Sequence, residues 1–326
     1  MNQSGSYGQA NRVTVFAPAT CANVAVGFDL MGFPLEGVGD RVTVTRVHPQ
    51  KGSAPVVTIT SLTGIGAEDL PRDAAANTAT VGLIQMVTDL KLAYGFEVKI
   101  QKGIPLGSGM GGSAASSVAA VVAANELLES PLARNGLIAY MLMGEKLATG
   151  SAHPDNVVPC FQGGLSLTLS INPIQIIEVP VPSAIRCVLV HPHFRLDTAK
   201  ARAVLAPTVS LQNHVGQSAR LAGFLAACYR GDLELLGRSL EDILVEPQRA
   251  ALIPGFHEVK NAALAFGVLG CSISGSGPSV FAWVDSDSKA TAVAGAMQAA
   301  FRTHGNLDSD VWISPINPRG AQIEFL

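Results

Sequence analysis

A glycine- and serine-rich loop leads directly into an alanine-rich helix candidate in the first half of the chain. The loop reads Pro105-Leu-Gly-Ser-Gly-Met-Gly-Gly-Ser-Ala-Ala115, and the predicted helix covers residues 114–128. Glycine permits backbone angles that are closed to other residues, so the N–H groups of the loop can turn toward one point. The unpaired amides and the positive dipole end of the helix face the same space. This arrangement predicts a phosphate-binding loop.

The loop departs from the two common phosphate-binding patterns. It lacks the lysine of the G-x-x-x-x-G-K-[ST] loop. Gly107, Gly109 and Gly112 satisfy G-x-G-x-x-G. A dinucleotide site would also require an acidic residue about 20 positions further on at a strand end, and none occurs there. From this segment alone, a flexible loop that happens to be rich in glycine remains an alternative.

Composition excludes several classes of protein. The 326-residue chain is 48% hydrophobic and 14% charged with a net charge of −3, so we expect neither intrinsic disorder nor nucleic-acid binding. The longest apolar stretch, residues 114–128, is interrupted by Ser116, Ser117, Asn125 and Glu126, and it falls short of a membrane span. Residues 1–11 lack the charge cluster and apolar core of a signal peptide, and we expect a loose tail there. The five scattered cysteines form no CxxC pair, which favours a reducing, cytoplasmic setting.

The pattern of predicted elements favours an α+β fold, because strands and helices are interspersed without regular βα alternation. Gly150 and Pro154 are expected to end the second helix, and Gly163-Gly164 marks a boundary between domains covering residues 12–164 and 165–326. The predicted strands cover residues 12–16, 41–47, 96–100, 165–170, 174–179, 186–191, 271–274 and 280–284, and the predicted helices cover residues 114–128, 137–148, 198–205, 211–229, 233–244, 256–266 and 288–302.

Two further motifs flank the glycine loop. Pro18-Ala-Thr-Cys-Ala-Asn-Val-Ala-Val-Gly-Phe-Asp29 follows the first predicted strand and places Asn23 and Asp29 in an otherwise apolar segment. Gly270-Cys-Ser-Ile-Ser-Gly-Ser-Gly-Pro-Ser279 forms a second glycine-rich turn between two predicted strands. Taken singly, the first could be local turn bonding and the second a hairpin with a glycine bulge.

Together, the three motifs resemble those of the GHMP kinase superfamily, in the same order and over nearly the whole chain. Met110 and Gly112 depart from the family's P-x-x-x-G-L-G-S-S-A-A pattern, where leucine and serine are usual. The resemblance implies a two-domain fold, with an N-terminal domain like ribosomal protein S5 domain 2 and a C-terminal ferredoxin-like α/β sandwich. It also implies that ATP and Mg²⁺ are used.

Within the superfamily, the chain is most similar to the homoserine kinase family. The segments that carry this similarity are Gly150-Ser-Ala-His-Pro-Asp-Asn-Val-Val-Pro159, residues 18–29, Arg195-Leu-Asp-Thr-Ala-Lys-Ala-Arg-Ala-Val-Leu205, and Glu246-Pro-Gln-Arg249 followed by Ile253-Pro-Gly255. The similarity implies ATP-dependent phosphorylation of the side-chain hydroxyl of L-homoserine to O-phospho-L-homoserine in threonine biosynthesis. It further implies a cytoplasmic enzyme, a homodimer, and no nucleic-acid or membrane partner.

The resemblance also implies roles for individual residues. Asn23 and Asp29 would hold the amino acid, with Asp29 on its ammonium, while Arg202 and Arg249 would grip its carboxylate and His153 would donate a further hydrogen bond. Asn156 would lie near the attacking hydroxyl, and Ser113 and Glu145 would hold Mg²⁺; Asp29, Glu145 and Asn156 are the expected catalytic residues. Asn77 would contact the adenine, and the glycine loop and the second glycine turn would surround the phosphates. The residues expected to bind ATP are therefore Asn77, Pro105, Gly107, Ser108, Gly109, Gly111, Gly112, Ser113, Ser274, Gly275 and Gly277.

Several alternatives stay open from the sequence. Glu145 could be a solvated helix residue, and Arg202 could lie on a charged surface with Lys200. The resemblance implies a mechanism without a side-chain base, and the alternative is that Asp155 acts as the general base. A kinase of the mevalonate or shikimate type, or a binding protein that has lost catalysis, are the alternative functions. His191 and His193 do not form a metal site by themselves, because no third ligand is near in sequence.

Overall fold

The computed structural model describes residues 11–316 and 318–325; the tail expected at the N-terminus lies outside the described residues, apart from Asn11. Strands and helices are interspersed along the chain, as the sequence predicts. The strands are β1 (Arg12–Ala22), β2 (Met31–Val47), β3 (Val57–Gly64), β4 (Gly95–Lys102), β5 (Leu165–Ile171), β6 (Ile174–Val179), β7 (Arg186–Pro192), β8 (Gly270–Ile273), β9 (Val280–Val284), β10 (Ser309–Pro315) and β11 (Gln322–Phe325). The helices are α1 (Val81–Asp89), α2 (Gly112–Glu126), α3 (Arg134–Thr149), α4 (Pro154–Gln162), α5 (Thr198–Ala203), α6 (Leu211–Arg230), α7 (Leu233–Ser239), α8 (Glu246–Arg249), α9 (Phe256–Leu264) and α10 (Asp287–Ala300).

Two sheets organise the fold. The first has seven strands, with the path β11-β1-β2-β4-β3 and a branch in which β5 pairs with both β2 and β6. The second has four antiparallel strands in the order β10-β7-β9-β8. With α9 and α10, these four strands follow the chain order β-α-β-β-α-β of a ferredoxin-like unit. The expected α+β fold with two sheets is therefore confirmed.

The two sheets pack over a shared aromatic cluster. Phe33 of β2 and Phe224 of α6 both lie with ring centroids 5.6 Å from that of Trp283 on β9. All three side chains are fully buried. Edge and tilted ring contacts of this kind add to the gain from apolar burial, so the cluster fixes the first sheet against the second.

The structure corrects one part of the predicted pattern and adds elements to it. Residues 154–162 form helix α4, although Pro154 was expected only to end the preceding helix. Proline is favoured at the first position of a helix, and Pro154 occupies that position here. Pro159 inside α4 concealed the helix from the sequence pattern, because an internal proline normally breaks one. The elements β3, α1, α8, β10 and β11 were also not predicted.

The boundary at Gly164 stays a prediction. Beyond it, β5 and β6 extend the first sheet, and β11 pairs with β1 near the end of the chain. The second sheet begins with β7. In the part of the chain that the structure describes, no helix combines the length and the hydropathy needed to cross a membrane.

Candidate active site

The three motifs line one cavity of about 300 Å³, together with residues of β4, α3, α4 and α5. Sixteen of the eighteen residues predicted for the site contribute to its wall; Ser274 and Gly277 do not. The wall residues predicted from the sequence are Asn23, Asp29, Asn77, Pro105, Gly107, Ser108, Gly109, Gly111, Gly112, Ser113, Glu145, His153, Asn156, Arg202, Arg249 and Gly275. Thus positions up to 252 residues apart in the sequence meet at one place. A volume of this size lies at the lower end of small-molecule sites.

The glycine loop faces the cavity with its backbone. Gly107, Gly109 and Gly111 have φ values of +62°, +75° and +68°, which place them in the left-handed region. Gly111 caps the N-terminus of α2 and no side chain caps its first turn. The free amides of that turn therefore point into the cavity together with the positive end of the helix dipole. This is the geometry that the sequence predicts for a phosphate-binding loop.

The second glycine turn braces this loop from behind. The Ser274 hydroxyl donates to the carbonyl of Gly109 at 2.8 Å, and the Ser279 hydroxyl donates to the carbonyl of Ser108 at 2.7 Å. Both serines are fully buried. These bonds hold the two carbonyls away from the cavity, so contact of Ser274 and Gly277 with a bound nucleotide stays a prediction that the cavity wall does not support.

We expect Gly109→Ala to destabilise the loop and weaken nucleotide binding. A Cβ at Gly109 would lie 2.5 Å from the carbonyl oxygen of Ser274 and 2.7 Å from that of Gly277. Both are backbone atoms, so the clash could be relieved only by a shift of the main chain. Gly37→Ala is the matched control, because Gly37 has a similar φ of +80° but open space around it. Thermal unfolding should show a loss of about 2 kcal/mol or more for Gly109→Ala, and a smaller loss for Gly37→Ala. Equal losses would contradict the close packing of the two loops.

Ser113, in the first turn of α2, lies in contact with Glu145 of α3. The Ser113 hydroxyl donates to Glu145 Oε2 at 2.9 Å, and Glu145 is only 5% exposed. Burial raises the pKa of Glu145 to about 6, and this effect outweighs the hydrogen bond from Ser113, which lowers the pKa. Glu145 is thus a buried acid on the cavity wall rather than a solvated helix residue. Two hard oxygen ligands beside a phosphate loop fit Mg²⁺, which commonly takes one or two protein ligands and completes its shell with phosphate and water.

Asp29 and Arg202 pair with each other. The two guanidinium nitrogens Nη1 and Nη2 of Arg202 donate to the two carboxylate oxygens of Asp29 at 2.8 and 2.9 Å. His153 completes the cluster, since Nε2 lies 3.1 Å from Arg202 Nη2 and Nδ1 lies 3.4 Å from Asp29 Oδ2. Because arginine can only donate, Nε2 accepts and the ring proton resides on Nδ1. Burial lowers the pKa of His153, in keeping with a neutral ring.

Arg249 lies buried beside this cluster. Its Nε donates to the carbonyl of Ala201 and its Nη1 to the carbonyl of Gly275, both at 3.0 Å. Burial lowers the pKa of Arg249 to about 10, so the side chain remains charged at neutral pH. The ring of Phe28 stands 5.1 Å from the guanidinium carbon of Arg202 and 5.3 Å from that of Arg249. Phe28 therefore supports both cations by cation–π contact, a role that the sequence did not indicate.

Two asparagines on the cavity wall are held by the backbone. Asn23 donates from Nδ2 to the carbonyl of Gly275 at 2.7 Å and accepts the N–H of Asp29 at 3.1 Å. Asn77 donates to the carbonyl of Pro71 at 2.8 Å and accepts the N–H of Ala79 at 3.0 Å. Each amide has one donor hydrogen and one lone pair left for a ligand. An adenine contact by Asn77 stays a prediction.

Asp155 and Asn156 occupy the first turn of α4, and both contribute to the cavity wall. Asp155 is 4% exposed, and burial raises its pKa to about 8, with the negative charges of Asp29 and Glu145 adding to the effect. The Asp155 carboxyl is therefore mostly protonated at neutral pH. Asn156 lies against Gly111 of the phosphate loop, where a Cβ would come within 2.8 Å of its Oδ1.

A buried lysine lies beneath the phosphate loop. Lys102 forms an ion pair with Asp40 and donates from Nζ to the carbonyl of Gly112 and to the hydroxyl of Ser116, both at 2.9 Å. Asp40 also accepts the backbone N–H groups of Gly103 and Ile104. Every polar atom of the pair thus has partners, which a buried charge requires. This pair was not predicted from the sequence, where its only signal is a lysine at the end of an alternating strand.

Comparison with known proteins identifies relatives over the whole chain. The model of the GHMP kinases N terminal domain matches residues 77–164, and that of the GHMP kinases C terminal domain matches residues 224–303. The chain is 50% identical over 315 residues to a homoserine kinase of Xylella fastidiosa, covering 96% of this chain and 94% of the relative. It is 48% identical over 331 residues to that of Xanthomonas campestris pv. campestris, covering 99% of each. A crystal structure of homoserine kinase from Cytophaga hutchinsonii superposes with a TM-score of 0.91 at 40% identity, covering 99% of both chains.

Proposed function

The chain belongs to the homoserine kinase family of the GHMP kinases, and we propose that its cleft holds ATP and L-homoserine side by side for phosphoryl transfer. The activity of the family is ATP-dependent phosphorylation of an alcohol in threonine biosynthesis. The observation that carries the assignment to this cleft is the meeting of a phosphate-type loop with a cluster of opposite charges on one wall. A nucleotide and a zwitterionic amino acid need these two features.

The charged cluster suits an α-amino acid. Asp29 would bind the ammonium, and Arg202 and Arg249 would bind the carboxylate through planar guanidinium groups. In the structure, Asp29 and Arg202 neutralise each other. A zwitterion inserted between them replaces each charge with its own counterpart, so neither side chain is left unpaired. His153 would donate from Nδ1, and Asn23 would hold Asp29 through its backbone N–H.

The phosphate side is supplied by the loop and the start of α2. The backbone amides of residues 107–113 would cradle the phosphates of ATP, while Ser113 and Glu145 would hold Mg²⁺. A bound Mg²⁺ would supply positive charge that stabilises the negative charge developing on the phosphate. The chain contributes positioning and charge stabilisation, which are its main tasks in phosphoryl transfer.

We propose a reaction without a carboxylate base. The homoserine hydroxyl attacks the γ-phosphorus of ATP, the bond from this phosphorus to the β-bridging oxygen breaks, and the hydroxyl proton passes to a γ-phosphate oxygen. Asn156 would orient the hydroxyl by a hydrogen bond. Burial raises the pKa of Asp155 to about 8, so at neutral pH its carboxyl is mostly protonated and poorly suited to take a proton. A loose transition state needs little early deprotonation, which makes this route feasible.

The alternatives from the sequence fit the cleft less well. Mevalonate and shikimate carry a carboxylate but no ammonium, so an acceptor of this kind that drew Arg202 to its carboxylate would leave Asp29 without a cationic partner. A protein that had lost catalysis would not need Glu145 buried against Ser113 at the phosphate loop. Phosphorus NMR of a mixture of ATP, Mg²⁺ and L-homoserine tests the proposal: a phosphomonoester of homoserine should appear in step with ADP. ADP formed with inorganic phosphate alone would overturn it.

Arg202→Lys should raise the KM for homoserine about 10- to 100-fold and leave the KM for ATP nearly unchanged. Lysine keeps the charge but loses the fork that binds both carboxylate oxygens. Arg230→Lys, at the exposed end of α6, is the matched control. Arg249→Lys should also lower thermal stability, because Arg249 donates to two backbone carbonyls. Steady-state kinetics with each substrate varied in turn would reveal the split, and equal damage to both constants for Arg202→Lys would speak against a carboxylate clamp.

We further propose that the enzyme is a cytoplasmic homodimer. The resemblance to the family supports the dimer, and five free, buried cysteines suit a reducing compartment. Light scattering after size exclusion should give about twice the chain mass of 33.8 kDa. A single-chain mass would contradict the dimer without affecting the proposed reaction.

A further inference from the structure

Thr20 connects the two halves of the cleft. It lies near the end of β1, opposite Pro34 of β2, and it is fully buried. Its hydroxyl donates to Asn156 Oδ1 at 2.6 Å. This is a short hydrogen bond between side chains that are 136 positions apart in the sequence. Because Oδ1 accepts this bond, the donor group Nδ2 lies at the other end of the amide. One Nδ2 hydrogen is donated to Asp155 Oδ1 at 3.4 Å, and the second is left for a ligand.

The backbone of Thr20 reaches the phosphate loop at the same point. Its N–H donates to the carbonyl of Met110 at 3.0 Å. Gly111 packs directly against the pair, since a Cβ there would lie 2.1 Å from the Thr20 hydroxyl oxygen and 2.8 Å from Asn156 Oδ1. One residue therefore sets the distance between the phosphate loop and the amide on the acceptor side.

We propose that Thr20 is a positioning residue for phosphoryl transfer, whose hydroxyl fixes the Asn156 amide so that Nδ2 faces the reacting oxygen atoms. This inference rests on the proposed function of the cleft. It makes Asn156 a hydrogen-bond donor to the acceptor hydroxyl or a γ-phosphate oxygen, and not a proton acceptor. Without the Thr20 hydroxyl, Asn156 Oδ1 loses its buried partner, and the amide is held only by the longer contact of 3.4 Å from Nδ2 to Asp155 Oδ1.

Thr20→Val removes the hydroxyl at almost constant shape. We expect kcat to fall about 10- to 100-fold, because the Asn156 Nδ2 donor is no longer oriented in the transition state. The KM for ATP should change less than twofold. Thr20→Ser keeps the hydroxyl and should restore most of kcat. Thr14→Val is the matched control, because Thr14 lies on the same strand and its hydroxyl contacts Thr43, away from the cleft. It should leave kcat unchanged.

A double-mutant cycle separates positioning from general structural damage. In an Asn156→Ala background, Thr20→Val should have almost no further effect, because the amide that it orients is gone. Full additivity of the two losses, or equal losses for Thr20→Ser and Thr20→Val, would overturn the proposal. Thr20→Cys provides a second variant if valine prevents folding, since its thiol is a weak donor of similar size. It should resemble Thr20→Val in kcat.

The same cycle separates failure of this inference from failure of the proposed function. If the wild-type enzyme turned over another alcohol and not homoserine, the cycle would be run with that alcohol. Loss of coupling between Thr20 and Asn156 with an active substrate would refute the positioning role alone. Absence of phosphorylation of homoserine by the wild-type enzyme would refute the proposed function.

Discussion

Glu145→Gln should lower kcat by several orders of magnitude and leave the fold intact. Glutamine keeps the size of the side chain and the contact with Ser113 but removes the charge that a magnesium ion requires. The measurement is kcat at saturating ATP, homoserine and Mg²⁺, with a thermal melt to show that the protein remains folded. Glu126→Gln, the same change at the exposed end of α2, is the control and should be silent.

The pH dependence of Mg²⁺ activation gives a second readout for Glu145. Its pKa is raised to about 6, so the carboxyl gains a proton as the pH falls through this value. Mg²⁺ competes with that proton, and the Mg²⁺ concentration for half-maximal activity should rise below about pH 6. Near-normal activity of Glu145→Gln at saturating Mg²⁺ would return Glu145 to the role of an ordinary buried helix residue.

Asn156→Ala should lower kcat about 10²- to 10³-fold, and Asp155→Asn should have a milder effect. Loss of one oriented hydrogen bond in the transition state costs on the order of 2–4 kcal/mol. Asp155 has a pKa raised to about 8 by burial, so at pH 7 it is mostly a neutral acid, which asparagine imitates. Single-turnover rates of the two variants, measured at saturating ATP and homoserine, test this order. If Asp155→Asn were inactive and Asn156→Ala active, Asp155 would be the base.

The pH profile of kcat makes the same distinction. A carboxylate base at Asp155 would give a kcat that rises as the pH passes through about 8, whereas the base-free route predicts no such rise.

The pH dependence of thermal stability is the control for the raised pKa of Asp155. The folded pKa lies above the unfolded value, so the stabilisation from the protonated carboxyl is present below about pH 4 and is lost as the pH rises toward 8. Asp155→Asn should therefore melt above the wild type at pH 8 and higher.

The order of motifs in the sequence predicted the class of fold and most wall residues of the cavity. The phosphate loop could be predicted because it depends on local features: glycines at fixed offsets and a helix directly behind them. Three of the four strands of the second sheet, β7, β8 and β9, were equally accessible, since β7 and β9 are short apolar runs bounded by turns; the fourth strand, β10, was not predicted. The family assignment from the three motifs is confirmed by relatives that cover nearly the whole chain.

Burial and long-range contacts could not be predicted in this way. The local sequence left open that Glu145 is a solvated helix residue, although the family resemblance made it a Mg²⁺ ligand, and only the packing of α3 against the start of α2 shows that it is buried. Arg249 was predicted to bind a carboxylate, but its two bonds to backbone carbonyls depend on α5 and the second glycine turn coming together. The contact from Thr20 to Asn156 likewise exists only when β1 and α4 are adjacent.

Side-by-side measurement of ADP release with L-homoserine, L-threonine, mevalonate and shikimate tests the central claim most directly. The charged cluster of Asp29 and Arg202 requires an acceptor with both an ammonium and a carboxylate, and the cleft must bring its hydroxyl to the phosphate loop. We expect L-homoserine to give the highest kcat/KM, and mevalonate and shikimate to remain at the background rate of ATP hydrolysis. Turnover of mevalonate or shikimate at a rate equal to or above that of L-homoserine would contradict the account.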